Sequence, residues 1–476
     1  MAASLRQNTR GLYVGGTWRE TESVLPVTDL AAGGEFATVA AATEEDARAT
    51  IRAAHEAKRA MRETTIVERA RWMEEIAEGI ESRAEELADV IVREAGKPIA
   101  SARGEVGSAT ERFRRAAEEA RDLQGEYVEG TTPGHEGWRA IVKPEPVGTV
   151  LAITPYNYPL ATTALHVAPA LAAGNSVVLK PATKTPVSGA ILAEIIADVG
   201  LPDGGFNFVT GRGSEIGDTL ASDDRLNAIA MTGSSRAGKR VARQSGMVDL
   251  HMELGGNAPA IVFEDADLDE VAGACAKGSF KYAGQRCSAV SRVLAHVSVH
   301  DQVVERLEAE MDAYVDGDLF DEATTFGPLI DESAVEWVEE LVEDAVDRGA
   351  TLVRGGERDG RYFEPTLLAD VPHDARIVHE EQFGPVAVVT SFGTEEEALD
   401  VANAGNLGLD AAVFTNDHDR AMRVANALEV GGVRLNGAPS HGLGDIPFGG
   451  VKDSGIGREG IGYSIETYTT TKSITL

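Results

Sequence analysis

The feature that most constrains this fold is an alternation of short β-branched runs with helical segments, which begins near residue 147. The runs GTVLAIT, NSVVLK, FNFVTG and LNAIAMTG are separated by helical patterns over residues 160–173, 186–199 and near 214–221. Strands and helices that alternate with short links are typical of a doubly wound parallel sheet. The sequence therefore predicts an α/β protein.

A second alternation of the same kind follows from residue 259 to about 435, with strand candidates APAIVF, VSRVLAHVSV, FGPVAVVTSF and LDAAVFTN. It predicts a second α/β domain. Residues 43–125 carry apolar side chains at helical spacing and predict several amphipathic helices. The Thr-rich segment from Ser464 to Leu476 alternates in polarity, and we expect it to form a strand that pairs with the sheet edge of another subunit.

The charge of the chain narrows the classes of partner. With 476 residues the chain is long enough for two or three domains, and 43% hydrophobic and 25% charged residues are typical of a globular protein. A net charge of −33 opposes encounter with polyanions, so we expect neither nucleic acid nor an anionic membrane as a partner. Most of the positive charge is arginine, and no lysine lies between Lys281 and Lys452. This acidic, lysine-poor composition predicts a high-salt cytoplasm, where screening weakens self-repulsion.

Cysteine usage and hydropathy predict a cytoplasmic location. Cys275 and Cys287 are too few for a disulfide framework, and no Cys/His cluster has the spacing of a metal site. The stretch MAASLRQNTRGLYVGGTWRE lacks the apolar core of a signal peptide, and no run of 18 or more apolar residues occurs. We therefore expect a protein that neither is secreted nor spans a membrane.

The stretch MTGSSRAGKR resembles the phosphate-binding loop of nucleotide triphosphatases. Gly233, Gly238 and Lys239 fit the pattern G-x-x-x-x-G-K-[ST], but Arg240 replaces the closing hydroxyl that would hold magnesium. A guanidinium does not ligate a cation, so the sequence argues against a triphosphatase, although a turn that opens a helix still suits a phosphate. GIGREG at 455–460 matches a dinucleotide fingerprint literally, yet too little chain follows for a βαβ unit, and we interpret it as a loop.

Three side chains have settings that favour catalysis. Cys287 lies in KYAGQRCSAVSRVL, where small polar neighbours and an adjacent arginine favour a thiolate, whereas Cys275 occupies an apolar helical position and fits a buried structural cysteine. Glu253 stands among apolar residues before a Gly-Gly turn in HMELGGNAPAIVF, which favours a functional carboxylate. Asn157 lies between two prolines in ITPYNYPL, from which its amide can donate a hydrogen bond to an oxyanion.

These stretches, in this order, resemble the aldehyde dehydrogenase superfamily. The likeness extends from GLYVGGTWRE to FGGVKDSGIGREG and includes ITPYNYP, LAAGNSVVLKP, TGSSRAG, MELGGNAPAIVFEDADLD, GQRC and EEQFGPV. It implies a Rossmann-type cofactor domain over residues 1–125 and 146–254 and a catalytic α/β domain over 255–443. It also implies a small β oligomerisation arm over 126–145 and 459–476, and hence a homodimer or homotetramer.

The resemblance implies a reaction and the residues that perform it. Cys287 would be the nucleophile, Asn157 and the backbone N–H of Cys287 the oxyanion hole, and Glu253 the base that activates water. An aldehyde has no leaving group, so thiolate attack gives an alkoxide that collapses by expelling hydride onto a nicotinamide. Glu253 favours hydrolysis of the resulting thioester to a free acid over transfer to coenzyme A. A catalytically silent structural homologue should have lost Cys287 or Glu253, and the chain has both.

The same motifs imply contacts to a nicotinamide dinucleotide. Gly233, Ser234 and Gly238 would meet the pyrophosphate, so the resemblance to a triphosphatase loop would be coincidental. Lys180 would bind the adenosine ribose. The other implied contacts are Thr154, Pro155, Thr183, Gly213, Leu254, and, at the nicotinamide ribose, Glu381 and Phe383.

Position 183 bears on the choice between NADP and NAD. Family members that use NAD commonly carry a glutamate where this chain has Thr183. Without that carboxylate a 2′-phosphate is not repelled, and Lys180 or Lys184 would bind it. We therefore expect NADP as the favoured cofactor and NAD as the alternative.

Side chains near the catalytic motifs bear on the substrate, a small-molecule aldehyde. TGRGSEIGD and GQRCSAVSRVL resemble the branch that oxidises glyceraldehyde 3-phosphate without phosphorylation, or related phosphonate aldehydes, in which Arg286 and Tyr158 would contact the anionic end. That branch places further arginines where this chain has Ser108 and His441, so half of the anion clamp is missing. With His441 as a further substrate contact, a semialdehyde or a short hydroxyaldehyde is equally compatible with the sequence.

Overall fold

The two predicted alternations form two large sheets in the computed structural model, which describes residues 9–440, 442 and 444–476. The α-helices are α1 (Glu44–Glu63), α2 (Ile66–Ser82), α3 (Ala84–Ala95), α4 (Ile99–Asp122), α5 (Ala161–Ala172), α6 (Val187–Asp198), α7 (Gly213–Ala221), α8 (Ser235–Gln244), α9 (Leu268–Phe280), α10 (His300–Glu310), α11 (Glu332–Asp347), α12 (Arg376–His379), α13 (Glu395–Asn403), α14 (His418–Ala427) and α15 (Ile461–Thr467). Among these described helices, none is both long and apolar enough to cross a bilayer.

The strands range from two to eight residues. They are β1 (Thr9–Arg10), β2 (Leu12–Val14), β3 (Thr17–Arg19), β4 (Val24–Thr28), β5 (Glu35–Ala40), β6 (Glu126–Glu129), β7 (Arg139–Pro146), β8 (Thr149–Ile153), β9 (Ser176–Lys180), β10 (Phe206–Phe208), β11 (Ala228–Thr232), β12 (Asp249–Glu253), β13 (Ala258–Val262), β14 (Val290–His296), β15 (Thr351–Arg354), β16 (Arg358–Asp359), β17 (Tyr362–Phe363), β18 (Thr366–Ala369), β19 (Val386–Phe392), β20 (Leu407–Gly408), β21 (Asp410–Phe414), β22 (Gly432–Leu435), β23 (Val451–Lys452), β24 (Gly455–Ile456) and β25 (Thr469–Thr475). The longest, β7, belongs to a small sheet outside the two large ones.

The first large sheet has eight strands in the order β24-β12-β11-β8-β9-β10-β2-β3. Its five central strands, β12 to β10, run parallel, whereas the edge pairs β24–β12, β10–β2 and β2–β3 are antiparallel. Strand β9 is buried at every position, as expected for a parallel strand with both faces covered. The strand order reverses at β8, and such a reversal opens a ligand crevice at the carboxyl ends of the strands.

The second large sheet has seven strands in the order β15-β18-β19-β14-β13-β21-β22, parallel except for β15. Arg292 of β14 is buried and donates hydrogen bonds to the carbonyl oxygens of Asn257, Val401 and Ala402. The bonds to Asn257 satisfy a backbone acceptor directly after the Gly-Gly turn, and the other two satisfy carbonyl groups near the end of α13. They fix the point at which the chain passes from the first sheet to the second.

A small sheet of three strands, β25-β7-β6, corrects where the predicted tail strand begins. Residues Ile461–Thr467 form α15, packed against α4 and α5, so the predicted strand begins at Thr469 and not at Ser464. Strand β25 pairs antiparallel with β7 of its own chain, from Thr469↔Pro146 to Thr475↔Ala140. One edge of β25 is therefore paired within the chain and the other edge has no neighbour among the described strands, so pairing with another subunit stays a prediction.

Helices α1 to α4 fill the stretch that sequence periodicity predicted as amphipathic helices. Two of them begin with a capping box, in which Thr43 pairs with Asp46 and Thr65 pairs with Glu68. Each cap stabilises its helix by about 1 kcal/mol. Helix α4 packs against α5, which follows β8, and so supports the side of the crevice that holds Asn157.

Candidate active site

Four of the predicted site residues lie at the carboxyl ends of adjacent parallel strands. Thr154 follows β8, Lys180 ends β9, Ser234 follows the end of β11, and Glu253 ends β12. The backbone N–H of Thr154 donates to the carbonyl of Lys180 over 3.1 Å. Because parallel strands end at one edge of a sheet, these residues surround the crevice where the strand order reverses.

The turn between β11 and α8 is built to receive an anion. Ser234 caps α8 by accepting a hydrogen bond from the backbone N–H of Ala237 over 3.3 Å, and the N–H of Gly233 donates to the carbonyl of Glu253 over 3.0 Å. A Cβ on Gly238 would lie 2.4 Å from Leu254 Cδ2, so the helix and the segment after β12 approach closely only because residue 238 is glycine. The free N–H groups and the dipole of the helix N-terminus favour a phosphate.

Lys239 and Arg240, which follow the glycines of the triphosphatase-like pattern, both pair with acidic side chains. Lys239 forms an ion pair with Asp453. Arg240 donates two hydrogen bonds to Asp218, at 2.8 and 2.6 Å. Neither side chain has the role that a magnesium-dependent phosphate loop requires of it.

The structure revises the expectation for a 2′-phosphate. Lys180 is buried, which lowers its pKa to about 8, and its Nζ donates to the carbonyl of Pro181 over 3.2 Å. Lys184 forms an ion pair with Asp331 and is not free for a phosphate. The hydroxyl of Thr183 donates to the carbonyl of Gly211 over 3.1 Å.

That contact places Thr183 beside a residue that sequence reasoning missed. Gly211 is followed by Arg212, an exposed arginine that lies before Gly213, the first residue of α7. Nothing lies within 4 Å of a Cβ built on Gly213. The N-terminus of α7 is therefore open next to Thr183, while the exposed guanidinium of Arg212 lies 3.6 Å from the carboxylate of Glu215 in the first turn of that helix.

Glu381 and Phe383 bring the second sheet to the crevice. Glu381 Oε1 accepts a hydrogen bond from the N–H of Gly256 over 2.9 Å, and burial raises the pKa of the Glu381 carboxyl to about 7. Phe383 has a φ of 47° and meets the ring of Tyr156 edge to face, with 5.9 Å between centroids. Pro155, directly before Tyr156, lies in the same half-buried loop.

Asn157 lies against the loop that carries Cys287. Its Nδ2 donates to the carbonyl of Gln285 over 2.9 Å. Just before this loop the backbone takes three positive φ angles in succession, at Tyr282 (56°), Ala283 (49°) and Gly284 (69°). A Cβ on residue 284 would lie 2.0 Å from a backbone oxygen of the strand region that follows Phe383, so only glycine fits there. This turn aims the Cys287 loop at Asn157.

The surroundings of Cys287 contradict the expectation of a stable thiolate. Burial raises the pKa of this half-buried thiol, and the carboxylates of Glu459, Asp410 and Glu253 raise it further. The guanidinium of Arg286 lowers this pKa by less than the other groups raise it. Sequence reasoning counted the neighbouring arginine and missed the three carboxylates, two of which come from distant parts of the chain. The free thiol therefore needs a proton acceptor when it attacks.

Glu253 is buried and has no hydrogen-bond partner for either carboxylate oxygen among the described residues. Burial raises the pKa of the Glu253 carboxyl well above its usual range, and the charges of Glu459 and Asp410 raise it further, against a smaller lowering by Arg458. A Cβ on Gly449 would lie 2.6 Å from Glu253 Oε1, so a glycine there leaves the space that the carboxylate uses. An unpartnered, proton-binding carboxylate suits a general base.

A buried polar cluster adjoins Glu253, and sequence spacing did not reveal it. His166 on α5, His251 on β12 and Glu459 after β24 have ligand-type atoms that all lie within 4.8 Å of one another. His166 Nε2 is 2.7 Å from Thr232 Oγ1. Glu459 lies in the stretch GIGREG, for which the sequence predicts a loop. The structure corrects this prediction, because the first two residues of GIGREG form β24 and pair with β12.

The predicted substrate contacts lie on the other side of the thiol. The Nζ of Lys97 sits 3.5 Å above the ring centroid of Tyr158, and the same lysine forms a fully buried ion pair with Glu105. Arg286 lies near Tyr158 and reaches the carbonyl of Pro439 at 3.4 Å. Ser108, on α4, is half-buried and donates to the carbonyl of Gly104, whereas His441 lies outside the described residues.

The ion pair between Lys97 and Glu105 helps to position the loop before α5, and the sequence did not predict it. Glu105 Oε1 accepts the N–H groups of Leu160 and Ala161, over 3.0 and 3.1 Å, at the start of α5. A carboxylate at a helix N-terminus is favourable, and here it fixes the loop that carries Asn157 and Tyr158. The available signal was a glutamate on the apolar stripe of α4, one turn after Ala102.

Comparisons with known proteins agree with this geometry. A model of the Aldehyde dehydrogenase family matches residues 18–474. The chain is 41% identical to the NADP-dependent glyceraldehyde-3-phosphate dehydrogenase of Streptococcus equinus, with 97% of each chain covered, and 38% identical to the 3-sulfolactaldehyde dehydrogenase of Priestia aryabhattai, with 98% of each covered. The crystal structure of NADP-dependent glyceraldehyde-3-phosphate dehydrogenase from Bacillus halodurans C-125 complexed with NADP is 37% identical, with a TM-score of 0.96 over 98% of this chain and 99% of that chain. These likenesses confirm the predicted fold class.

Proposed function

Since this chain belongs to the aldehyde dehydrogenase family, we propose that it oxidises a short anionic aldehyde to the free carboxylic acid, with NADP as the favoured oxidant. The observation that carries the proposal is the contact between Asn157 Nδ2 and the Gln285 carbonyl, which brings a fixed amide beside the nucleophile loop. The buried, unpartnered carboxylate of Glu253 acts on the same thiol.

The first step is attack by Cys287 on the aldehyde carbon. The half-buried thiol, whose pKa is raised by burial and by nearby carboxylates, loses its proton to solvent as the C–S bond forms. Asn157 and the backbone N–H of Cys287 then donate hydrogen bonds to the oxyanion, a type of interaction worth about 3–4 kcal/mol in a preorganised site.

Collapse of this thiohemiacetal breaks the C–H bond and leaves a thioester on Cys287. NADP, when bound, accepts the hydride. The residues fit that group, because the capped N-terminus of α8 suits the pyrophosphate and the absence of a side chain on Gly238 lets this helix pack closely on Leu254. Lys180 and Glu381 lie on opposite sides of the crevice and would hold the two riboses.

Hydrolysis completes the reaction. Glu253 takes a proton from water as the water oxygen bonds to the thioester carbon, and the C–S bond then breaks to release the carboxylic acid and the thiolate. Because the Glu253 carboxyl has a raised pKa, its basic form is present only at higher pH than for an exposed glutamate. We therefore expect the hydrolytic step to accelerate as pH rises.

The substrate end of the proposal rests on Arg286 and Tyr158. Arg286 has an exposed face and supplies a positive charge near Tyr158, whereas the charge of Lys97 behind the Tyr158 ring is balanced by Glu105. The relatives named above act on a phosphorylated and a sulfonated aldehyde. Glyceraldehyde 3-phosphate, a semialdehyde and a short hydroxyaldehyde therefore form the candidate set.

The proposal extends to assembly and compartment. We place the cofactor domain at residues 1–125 and 146–254, the catalytic domain at 255–443, and an oligomerisation arm at 126–145 and 459–476. The unpaired outer edge of β25 supports pairing with a second subunit, in a homodimer or homotetramer, and we place this assembly in the cytoplasm.

A substrate screen tests the function. Phosphorylated, sulfonated, carboxylated and neutral short aldehydes are offered to the protein in high salt, and NADPH formation is followed by absorbance. We expect the anionic aldehydes to have the highest kcat/KM, and Arg286→Gln to lower that preference by about tenfold, with the exposed Arg243→Gln as a control. Equal rates with neutral and anionic aldehydes would contradict the substrate class, and no NADPH or NADH with any aldehyde would contradict the function.

A further inference from the structure

His251 occupies an unusual position beside the proposed base. It lies two residues before Glu253 on β12, so both side chains project from the same face of the sheet. Its ring is 2% exposed, and neither ring nitrogen has a hydrogen-bond partner among the described residues. A buried imidazole normally has at least one partner, so an unpartnered one requires an explanation.

The two ring nitrogens of His251 face different surroundings. Nε2 lies 3.9 Å from Glu253 Oε1 and also 3.9 Å from Glu459 Oε2. An approach of about 1 Å brings Nε2 within hydrogen-bond distance of either carboxylate, and catalytic hydrogen bonds are often long before substrate binds. Nδ1 points the other way, 3.1 Å from the position of a Cβ on Gly457, which is exposed. The ring thus extends from Glu253 to just beneath the surface.

Resting on the proposed function, we propose that His251 is a proton-relay residue that receives a proton from Glu253 at Nε2 and releases it from Nδ1 beneath Gly457. During thioester hydrolysis the Glu253 carboxylate takes one proton from water. Transfer of that proton to Nε2 restores the carboxylate for the next turnover and makes an imidazolium. Glu459 supplies the opposite charge, and loss of the Nδ1 proton leaves the neutral Nε2–H tautomer. Proton exchange with solvent then restores the Nδ1–H tautomer, which accepts the next proton at Nε2.

A relay answers a problem that the burial of Glu253 creates. A carboxyl group with no partner and little exposure has no direct route for its proton to water. An imidazole can accept a proton at one ring nitrogen and donate another proton from the opposite ring nitrogen. A carboxylate or an amide at this position could not pass a proton from one side of the side chain to the other in this way. The titratable and charged groups that surround the pair are His166 on α5, Cys287 in its loop, Asp410 on β21, and Arg458 and Glu459 after β24.

A metal ion is the rival occupant of the cluster, since His166, His251 and Glu459 are residue types that bind zinc. His166 Nε2 already lies at hydrogen-bond distance from the Thr232 hydroxyl, and all three side chains are at most 2% exposed. The equal distances from Nε2 to two carboxylates, one of them the proposed base, favour the transfer of a proton.

The test isolates thioester hydrolysis from hydride transfer. p-Nitrophenyl acetate acylates a reactive thiol without any cofactor, so the p-nitrophenolate burst reports acylation of Cys287 and the steady rate reports hydrolysis of the acetyl thioester. We expect His251→Gln to keep the burst within twofold and to lower the steady rate about 10- to 100-fold at pH 7. His300→Gln removes another buried histidine beside a carboxylate, far from the thiol, and should change neither phase.

Two further measurements separate a relay from a structural role. His251→Ala leaves space for a ring, and added imidazole should restore most of its steady rate. In the intact protein the steady rate should depend on the deuterium fraction of the solvent with a curvature that requires more than one moving proton, a readout that does not depend on whether a variant folds.

The results that overturn the relay are distinct from those that overturn the function. Equal losses in burst and steady rate, an unchanged steady rate in His251→Gln, no imidazole rescue, or a linear deuterium dependence would each exclude it. Inhibition of the intact protein by micromolar zinc, lost in a His251→Gln variant with normal hydrolysis, would make the cluster a metal site. A normal ester burst without oxidation of any aldehyde would instead refute the proposed function.

Discussion

The two cysteines differ in what surrounds their sulfur atoms. Cys275 is fully buried on α9 in an apolar cluster, and burial raises its thiol pKa to about 12. Cys287 is half-buried, and carboxylates act on it from three other chain segments. The expectation that Cys275 is structural follows from its place in a helical pattern, whereas the reactivity of Cys287 depends on groups brought together only by folding.

Replacing each cysteine by alanine tests this distinction. Cys287→Ala should lower aldehyde oxidation by at least about 1,000-fold, because no other described thiol reaches the crevice. Cys275→Ala serves as the control and should retain activity within about twofold, with a stability loss of about 1 kcal/mol from the small cavity. Steady-state NADPH formation and thermal unfolding measure both effects. Substantial turnover by Cys287→Ala would remove it as the nucleophile.

Glu253→Gln should separate the two half-reactions. Hydride transfer precedes the step that needs the base for water, so we expect a burst of NADPH followed by a steady rate lowered about 100-fold. Rapid mixing with excess aldehyde measures the burst. The loss of the burst together with the steady rate would show that Glu253 also has to activate the thiol.

The pH dependence of the intact protein follows from the same carboxyl. Its folded pKa is raised, so the fraction in basic form, and with it the rate of hydrolysis, increases as pH rises through that pKa. In Glu253→Gln this increase should disappear while the burst keeps its own pH dependence. A steady rate in the intact protein that falls between pH 6 and pH 9 would contradict the assignment.

Thr183→Glu tests how the 2′-phosphate is recognised. Two like charges about 4 Å apart repel by about 4 kcal/mol at an effective dielectric of 20, and salt reduces this at an exposed site. About 1.4 kcal/mol already changes affinity tenfold, so the ratio of kcat/KM for NADP to that for NAD should fall at least tenfold. Thr183→Ser, which keeps the hydroxyl, is the control. An intact protein that prefers NAD, or an unchanged ratio in the variant, would show that position 183 does not discriminate.

At the scale of elements, the tail strand is tied to its own chain along one edge only. Deleting residues 469–476 removes the partner of β7 over its whole length and exposes the edge of a sheet that carries Tyr127 and Ile141 on its surface. We expect a smaller or polydisperse assembly by light scattering and reduced activity. Lys472→Gln, which keeps the strand, should leave the mass unchanged. A monodisperse, active oligomer of the original mass after deletion would contradict a role of β25 in assembly.

The elements that were predicted from sequence are those with long, regular patterns. Strands β8, β9, β11 and β13 read as continuous apolar runs because both faces of a parallel strand are buried, and the helices between them were placed within one or two residues. The two-residue strands are too short to carry a pattern, and GIGREG, which contains β24, was interpreted as a loop because too little chain follows it for a βαβ unit. Asn157, Glu253 and Cys287 stood out by their local settings. His251 and Glu459 did not, because their meaning depends on contacts between distant segments.

At the scale of the whole molecule, excess negative charge should make stability depend on salt. The chain has 77 acidic and 44 basic residues, and many of the arginines form exposed pairs that contribute little each. Repulsion among the excess carboxylates therefore outweighs the attraction within the surface ion pairs. Salt screens this repulsion, because the Debye length falls from about 10 Å at 0.1 M to about 3 Å at 1 M salt. We expect the unfolding temperature to rise by several degrees from 0.1 to 2 M KCl.

A charge-reversed variant provides the control for that measurement. Glu336 and Glu343 are exposed on α11 and belong to no ion pair among those described. Replacing both by lysine therefore makes the net charge less negative without removing an ion pair. The double variant should show a higher unfolding temperature in low salt and a smaller gain from KCl. A gain as large as that of the original chain would assign the salt effect to preferential hydration instead of charge screening.

The antiparallel pairing of β24 with β12 also determines when the active site can be completed during synthesis of the chain. A ribosome makes the asparagine and the nucleophile well before Gly455 and Glu459, so the growing chain carries its thiol before the strand that covers the base has been made. Until then β12 ends in an open edge and Glu253 remains hydrated, with a carboxyl pKa closer to that of a free glutamate. The buried cluster beside the base is therefore complete only after residues 455–459 have been made and have paired with β12, late in the synthesis of the chain.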